Sequence, residues 1–157
     1  MSLDSVRAFF AEHAPDITVT VKEASTATVV EAAAALGVTP AEIAKTLSIQ
    51  AGEDVVLIVT RGDARLDNKK AKATFGSKVK MLGLDVVEEI TGHPVGGVCP
   101  FGLARPLRVC CDVSLKAFDL VYPAAGAVNA AVCLSPDRMA ALTGADWVDV
   151  CKDPEGD

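Results

Sequence analysis

Apolar positions along the chain switch repeatedly between the 3.6-residue spacing of a helix and the two-residue spacing of a strand. Asp4 to Ala14 has the pattern of an amphipathic helix, and Ile17 to Val21 alternates like a strand. From Thr28 to Leu36, Val29, Val30, Ala33 and Leu36 recur at helical intervals and stop at Gly37. Thr39-Pro40-Ala41-Glu42 has the form of a capping box with proline at the first helical position, so a short helix starts there. Thr46 to Gln50 alternates and Val55 to Thr60 is continuously apolar, which predicts two neighbouring strands turning around Gly52-Glu53-Asp54. Asp67 is placed to cap a helix running to about Phe75, Lys78 to Leu82 reads as a short strand, and Asp85 is placed to cap a helix ending at Gly92. A loop rich in glycine and proline occupies Thr91 to Pro106. Leu107 to Asp112, Leu120 to Tyr122 and Ala130 to Leu134 read as strands, Ser135-Pro136 opens a helix to Thr143, and Trp147 to Val150 is a last strand.

This order predicts an α/β fold, a mixed sheet of about six or more strands packed with helices. It is too irregular for a simple doubly wound sheet. A chain of 157 residues fits one domain, with its core from about Ile17 to Val150. No repeat, low-complexity stretch or linker divides it, and only the tail from Lys152 to Asp157 reads as frayed. Half the residues are hydrophobic but only 4% are aromatic, so the core must be packed with Ala, Val, Leu and Ile.

No apolar run approaches the ~20 residues of a membrane-spanning helix, and the N-terminus lacks the basic-then-apolar order of a secretory signal. The five cysteines, Cys99, Cys110, Cys111, Cys133 and Cys151, include no CxxC pair. Their usage suits a cytoplasmic protein whose thiols stay reduced and act mostly as small hydrophobes. Cys110 and Cys111, adjacent on one strand, should face opposite sides.

A net charge of −6 argues against a general nucleic-acid binder. Between residues 61 and 80, however, seven basic side chains (Arg61, Arg65, Lys69, Lys70, Lys72, Lys78, Lys80) stand against Asp63 and Asp67. Such a patch is either a solvated face or a surface for a few phosphates of an RNA end.

Several chemistries are missing. His13 and His93 are the only histidines, and there is no HxxxH, HExxH or CxxC, so a zinc site lacks its ligands. No GxSxG elbow, GxxxxGK[ST] loop or GxGxxG turn occurs. Cys99 and His93 share one loop and could form a dyad, a weak signal in a loop of that length.

Two segments stand out. Lys45, in Ile43-Ala44-Lys45-Thr46-Leu47, sits between a helix end and a strand start among apolar neighbours. Its ammonium must reach water or meet an anion. In Val95-Gly96-Gly97-Val98-Cys99-Pro100-Phe101-Gly102, three glycines and a proline impose an unusual backbone path. Successive amides in such a turn either serve a purely structural loop or converge as an anion-binding nest, the geometry an oxyanion hole needs.

Lys45-Thr46-Leu47, Leu66-Asp67-Asn68-Lys69-Lys70-Ala71, Thr91-Gly92 through Gly102, Tyr122 through Gly126, and Leu134-Ser135-Pro136 follow one another in an order and spacing that resembles the YbaK/EbsC family of aminoacyl-tRNA editing proteins. The resemblance extends from about Ile17 to Val150. It implies a single-domain hydrolase needing no metal or cofactor, which cleaves the ester joining a wrong amino acid to the terminal adenosine of a tRNA. The usual substrate is tRNA(Pro) carrying Cys, Ala or another small amino acid, and prolyl-tRNA synthetase is the protein partner it brings in. Lys45 matches the family's essential lysine, which holds the acceptor end. Gly96 and Pro100 match the ends of its GxxxP loop, whose backbone, through Gly97, Val98 and Cys99, meets the carbonyl and the amino-acid moiety. Thr46, Gly102, Gly126, Lys69 and Lys70 are the substrate-binding positions implied. The attacking group is a water activated by the substrate's own ribose hydroxyl.

The chain departs from the family at two places. Cys99 stands where many relatives have serine, and Ala127-Val128-Asn129 replaces a basic Gly-x-Arg-Gly turn. The leading expectation is tRNA editing by ester hydrolysis. The alternatives are a non-catalytic module binding an acceptor end or a synthetase, and a thiol role for Cys99.

Overall fold

The computed structural model describes residues 2–153; the rest of the tail expected to fray lies outside them. In chain order the elements are α1 (Ser2–His13), β1 (Thr20–Val21), α2 (Val29–Leu36), β2 (Ile43–Ala51), β3 (Asp54–Arg61), α3 (Asn68–Phe75), β4 (Val79–Met81), α4 (Leu84–Thr91), β5 (Arg108–Asp112), β6 (Tyr122–Pro123), β7 (Ala130–Ala131), α5 (Pro136–Thr143) and β8 (Asp146–Val148). Single 310 turns at Pro40–Glu42 and Val113–Ala117 complete them.

The sheet grows from the hairpin that the sequence marks most clearly. β2 and β3 pair antiparallel from Ala44↔Arg61 to Ala51↔Asp54. β5 joins β3 in parallel and β8 joins β5 in parallel. Parallel strands are buried on both faces, which explains the unbroken apolar run of β3. Its Leu57 and Val59 enter one core with Val6 and Phe10 of α1, Phe101, Leu115 and Met139. Its Val56 and Ile58 enter a second core with Ile49, Ala71 of α3, Val79 and Val150. Cys111 lies in the first core and Cys110 in the second, on opposite faces as expected. The few aromatics are concentrated: Phe9, Phe10 and Phe101 stack with ring centroids 4.7–5.7 Å apart.

The other edge of β2 positions the site. β6 pairs with it in parallel at Ile43 and Ala44, and β4 antiparallel at Ile49 to Ala51. Between them, from Lys45 to Ser48, no strand among the described residues pairs with the edge, and Ser48 O accepts from Leu82 N–H at 2.9 Å. A six-stranded mixed sheet thus carries a gap in one of its own edges, and β1 with β7 forms a separate two-stranded ladder beside it.

Helix boundaries follow their caps. Thr28 Oγ1 accepts from Glu31 N–H, Asp67 Oδ1 from Lys69 and Lys70 N–H, and Ser135 Oγ from Arg138 N–H. Asp85 is not a cap: α4 begins at Leu84 after Gly83. The Thr39 box closes only one 310 turn, because the chain enters β2 at Ile43, three residues before the expected start. Lys45 therefore lies inside a strand, not at a helix–strand junction. The expected strands Ile17–Val21, Leu120–Tyr122, Ala130–Leu134 and Trp147–Val150 appear as ladders of two or three residues, the last shifted to Asp146–Val148, with Val121 and Leu134 joined only by an isolated bridge.

Candidate active site

The gap in the β2 edge opens into a cavity of about 210 Å³. Its floor is β2 from Ile43 to Ser48. Its walls come from the segment Thr26–Val29 leading into α2, from Met81 to Val87, from the loop at Val95, Gly96 and Val98, and from Tyr122, Ala124, Ala130 and Ala131. Much of this surface is methyl groups of alanine and valine, and Lys45 is its sole charged residue among the described residues. No carboxylate or imidazole lines it.

Lys45 is half-buried, and its Nζ donates to Ala64 O at 2.5 Å, in the loop that follows β3. Burial pulls its pKa below the ordinary lysine value, with Asp63 pulling the other way. A carbonyl neutralises no charge, so the ammonium stays unpaired by any carboxylate contact among the described residues, although Ala64 itself lies outside the cavity's lining.

The glycine loop is held from behind. Gly97 N–H donates to Pro94 O at 2.9 Å, and Gly97 O accepts from Gly126 N–H at 3.0 Å. A Cβ on Gly97 would lie 2.8–3.0 Å from the Ala127 backbone, so only glycine lets these segments touch. Gly96 has φ +90°, and a Cβ there would press on Ala27 at 2.9 Å. Gly96 N–H and Val98 N–H, by contrast, have no acceptor among the described residues.

Beneath the loop lies a closed polar cluster. His93 is fully buried: Nε2 carries the proton and donates to Phe101 O at 2.7 Å, while Nδ1 meets Ser2 Oγ at 2.5 Å. Burial lowers its pKa, which keeps the imidazole neutral. Cys99 Sγ is 3.6 Å from both His93 Nε2 and Phe101 O, and burial pushes its thiol up to about 12. The pair foreseen as a possible dyad is in contact, but walled off from the cleft and without thiolate character.

The residues singled out in the sequence fall into three places. Lys45, Thr46, Gly96 and Val98 line the cleft together. Gly97, Cys99, Pro100, Gly102 and Gly126 build the loop's underside, Gly102 resting against Ser5 of α1 and Gly126 against Ser2 and Val6. Lys69 and Lys70 lie on α3, against the second core. Lys70 is engaged by Asp149 at 3.2 Å, Asp153 at 2.8 Å and Cys151 O at 3.0 Å, and Arg61 by Asp63. The basic window is thus partly neutralised, leaving Arg65, Lys69, Lys72, Lys78 and Lys80 exposed without an ion pair among the described residues.

Thr26, Ser48 and Tyr122 also line the cleft; Ser48 and Tyr122 lay within segments marked in the sequence without being named as site residues, and Thr26 lay in none. Thr26 follows no local pattern; it is placed by Val128, to whose carbonyl its N–H donates at 2.7 Å. Ala127-Val128-Asn129, the stretch that departs from the family's basic turn, works as a clamp here: Lys22 N–H donates to Asn129 O and Asn129 Nδ2 to Lys22 O. Among the described residues no three His, Cys, Asp or Glu side chains converge as metal ligands, and no helix is long and apolar enough to cross a membrane.

The α/β domain thus brings Lys45, Gly96 and Val98 together in the lining of one small, largely apolar cleft. The chain belongs to the aminoacyl-tRNA editing domain family, whose profile matches residues 23–142, and within it to the YbaK/EbsC line. It is 49% identical to the uncharacterized protein YwhH of Bacillus subtilis, over 99% of this chain and 100% of that one. It is 30% identical to EbsC of Enterococcus faecalis, described as a candidate Cys-tRNA(Pro)/Cys-tRNA(Cys) deacylase, over 75% of this chain and 73% of EbsC. The proline–tRNA ligase of Bacillus licheniformis is 35% identical over 66% of this chain but only 18% of the ligase, a likeness to one segment of a longer enzyme. A crystal structure of a candidate trans-editing enzyme for prolyl-tRNA synthetase superposes with TM-score 0.89 at 31% identity, covering 97% of this chain and 98% of that one. Family and relatives together support a tRNA-editing, deacylase function.

Proposed function

We propose that this protein is a free-standing, cytoplasmic trans-editing deacylase that hydrolyses the ester of mischarged tRNA, with tRNA(Pro) carrying Cys, Ala or another small amino acid as its substrate. The observation that carries this reading is one cavity of about 210 Å³ lined by Lys45 and by Gly96 and Val98, whose N–H groups are unpaired, with no acidic or imidazole side chain in its lining among the described residues. The donors suit the oxygen of a tetrahedral intermediate, where fixed main-chain N–H groups are most effective. Lys45 suits the acceptor-end phosphate or the ester oxygens.

With no protein base lining the cavity, the proton has to travel through the substrate. Water adds to the carbonyl carbon and its proton passes by way of the ribose 2′-hydroxyl to the departing 3′-oxygen. The C–O ester bond breaks, giving the free amino acid and tRNA with an intact 3′-hydroxyl. No metal or cofactor takes part in this scheme, and the tRNA is delivered as a product of prolyl-tRNA synthetase. The small volume and alanine-rich walls favour compact, uncharged side chains.

The test is a panel of tRNA(Pro) charged with Cys, Ala, Ser, Thr and Pro. The reading expects release of at least one small amino acid, with Pro-tRNA(Pro) left intact. Binding of tRNA without turnover of any ester contradicts it and leaves a binding module.

A further inference from the structure

Two of the residues that line the cleft carry buried hydroxyl oxygens with nothing to bond. Thr26 Oγ1 and Thr46 Oγ1 are sealed from solvent, line the cavity and have no hydrogen-bond partner among the described residues. Thr26 is the more informative, at 5% exposure. A buried, unpaired hydroxyl is destabilising, and valine would fill the same space without that penalty.

Its neighbours sharpen the contrast. Ser25 Oγ bonds Glu31 Oε1 and accepts from Ala27 N–H, and Thr28 Oγ1 caps α2. Of the hydroxyls in the Ser25–Thr28 run, Thr26 alone is left unpaired. Its position is also fixed: Val128 O holds its N–H, and the adjoining Ala27 packs on Gly96.

Sorting donors from acceptors identifies the missing partner. An aminoacyl ester of ribose brings several acceptors, namely its carbonyl, ester and phosphate oxygens. These match Gly96 N–H, Val98 N–H and Lys45. Its α-amino group is a donor and needs acceptors, and the cleft offers it no carboxylate. Among the hydroxyl oxygens of the lining residues, those of Thr26 and Thr46 are both closed to water and unclaimed, whereas that of Ser48 is open to water.

We propose that Thr26 is a specificity-determining residue: its hydroxyl, together with that of Thr46, accepts hydrogen bonds from the substrate's α-amino group, so that the site reads the group distinguishing an aminoacyl ester from a plain acyl ester. The assignment rests on the deacylase reading. One consequence is that an N-acylated or peptidyl ester is a poor substrate, because its amide cannot supply the same donors in so small a space.

The test compares alanyl-tRNA(Pro) with its des-amino counterpart, propionyl-tRNA(Pro), for wild type, Thr26→Val and Thr26→Ser. Thr26→Val loses about tenfold or more in kcat/KM on the alanyl ester and little on the propionyl ester, while its Tm is unchanged or raised. Thr26→Ser, which keeps the oxygen, stays near wild type. An equal loss on both esters, no loss on either, or a fall in Tm with loss of both activities overturns the assignment. The amide-linked analogues alanylamido- and propionylamido-adenosine give the same comparison by binding alone. If wild type turns over no ester, the deacylase reading fails. The binding difference between the two analogues, present in wild type and abolished in Thr26→Val, still decides for or against Thr26.

Discussion

The two sides of the Val95–Gly102 loop are built to opposite rules. On the underside the polar side chains and the Gly97 carbonyl are paired: His93 bonds Phe101 O and Ser2, Gly97 O takes Gly126 N–H, and the Cys99 thiol sits against Phe101 O. On the cleft side, Gly96 N–H, Val98 N–H, Thr26 Oγ1 and Thr46 Oγ1 have no partner among the described residues, and all four residues line the cavity. The first side supplies rigidity and the second keeps its bonding capacity for a ligand. Stability and activity should therefore separate when the two sides are altered one at a time.

The largest effect belongs to the underside. Phe101→Ala removes a fully buried ring from the Phe9–Phe10–Phe101 stack and should cost about 3–5 kcal/mol in denaturant unfolding. Lys45→Ala should do the reverse, with deacylation falling by about two orders of magnitude and the unfolding midpoint scarcely moved. Because burial lowers the pKa of Lys45, the alkaline loss of activity should begin below the pH at which an exposed lysine titrates. Across that window the unfolded chain binds the proton more tightly, so stability at this site rises with pH as activity falls. A pH series of activity and Tm on wild type and Lys45→Ala checks both signs.

Gly97→Ala links the two sides. Its Cβ meets Ala127 backbone at 2.8–3.0 Å, so the loop must shift, and both Tm and kcat/KM should drop, the latter roughly tenfold. Cys99→Ser should leave kcat nearly unchanged. In native protein iodoacetamide should label the exposed Cys133 rapidly and spare Cys99, whose thiol is pushed up to about 12. The smallest effect is expected for Lys69→Ala, a two- to threefold rise in KM for tRNA at low salt that vanishes at high salt.

Much of this was legible in the sequence because it is local. The β2–β3 hairpin, the helix starts at Thr28, Asp67 and Ser135, and the glycine loop each announce themselves within a few residues. Lys45 and the loop could be paired only through the family resemblance; no periodicity says that they share a cleft. What escaped depends on distant partners. β2 starts early because β6, nearly eighty residues on, pairs with Ile43 and Ala44. Asp85 looks like a cap, but Gly83 already turns the chain. The basic window loses part of its charge to Asp149 and Asp153, which fold back on Lys70 from the far end of the sequence. Thr26 was invisible for the same reason, since Val128 and the surrounding walls make it a buried hydroxyl.

The central claim is that the cleft side of the loop holds the acyl end of an aminoacylated adenosine. Titrating 15N-labelled protein with alanylamido-adenosine, an amide that cannot be hydrolysed, tests it directly. The account predicts that the Gly96 and Val98 amide signals shift downfield while those of Lys69 and Lys70 on α3 stay in place. Saturable binding that leaves Gly96 and Val98 unmoved would contradict it.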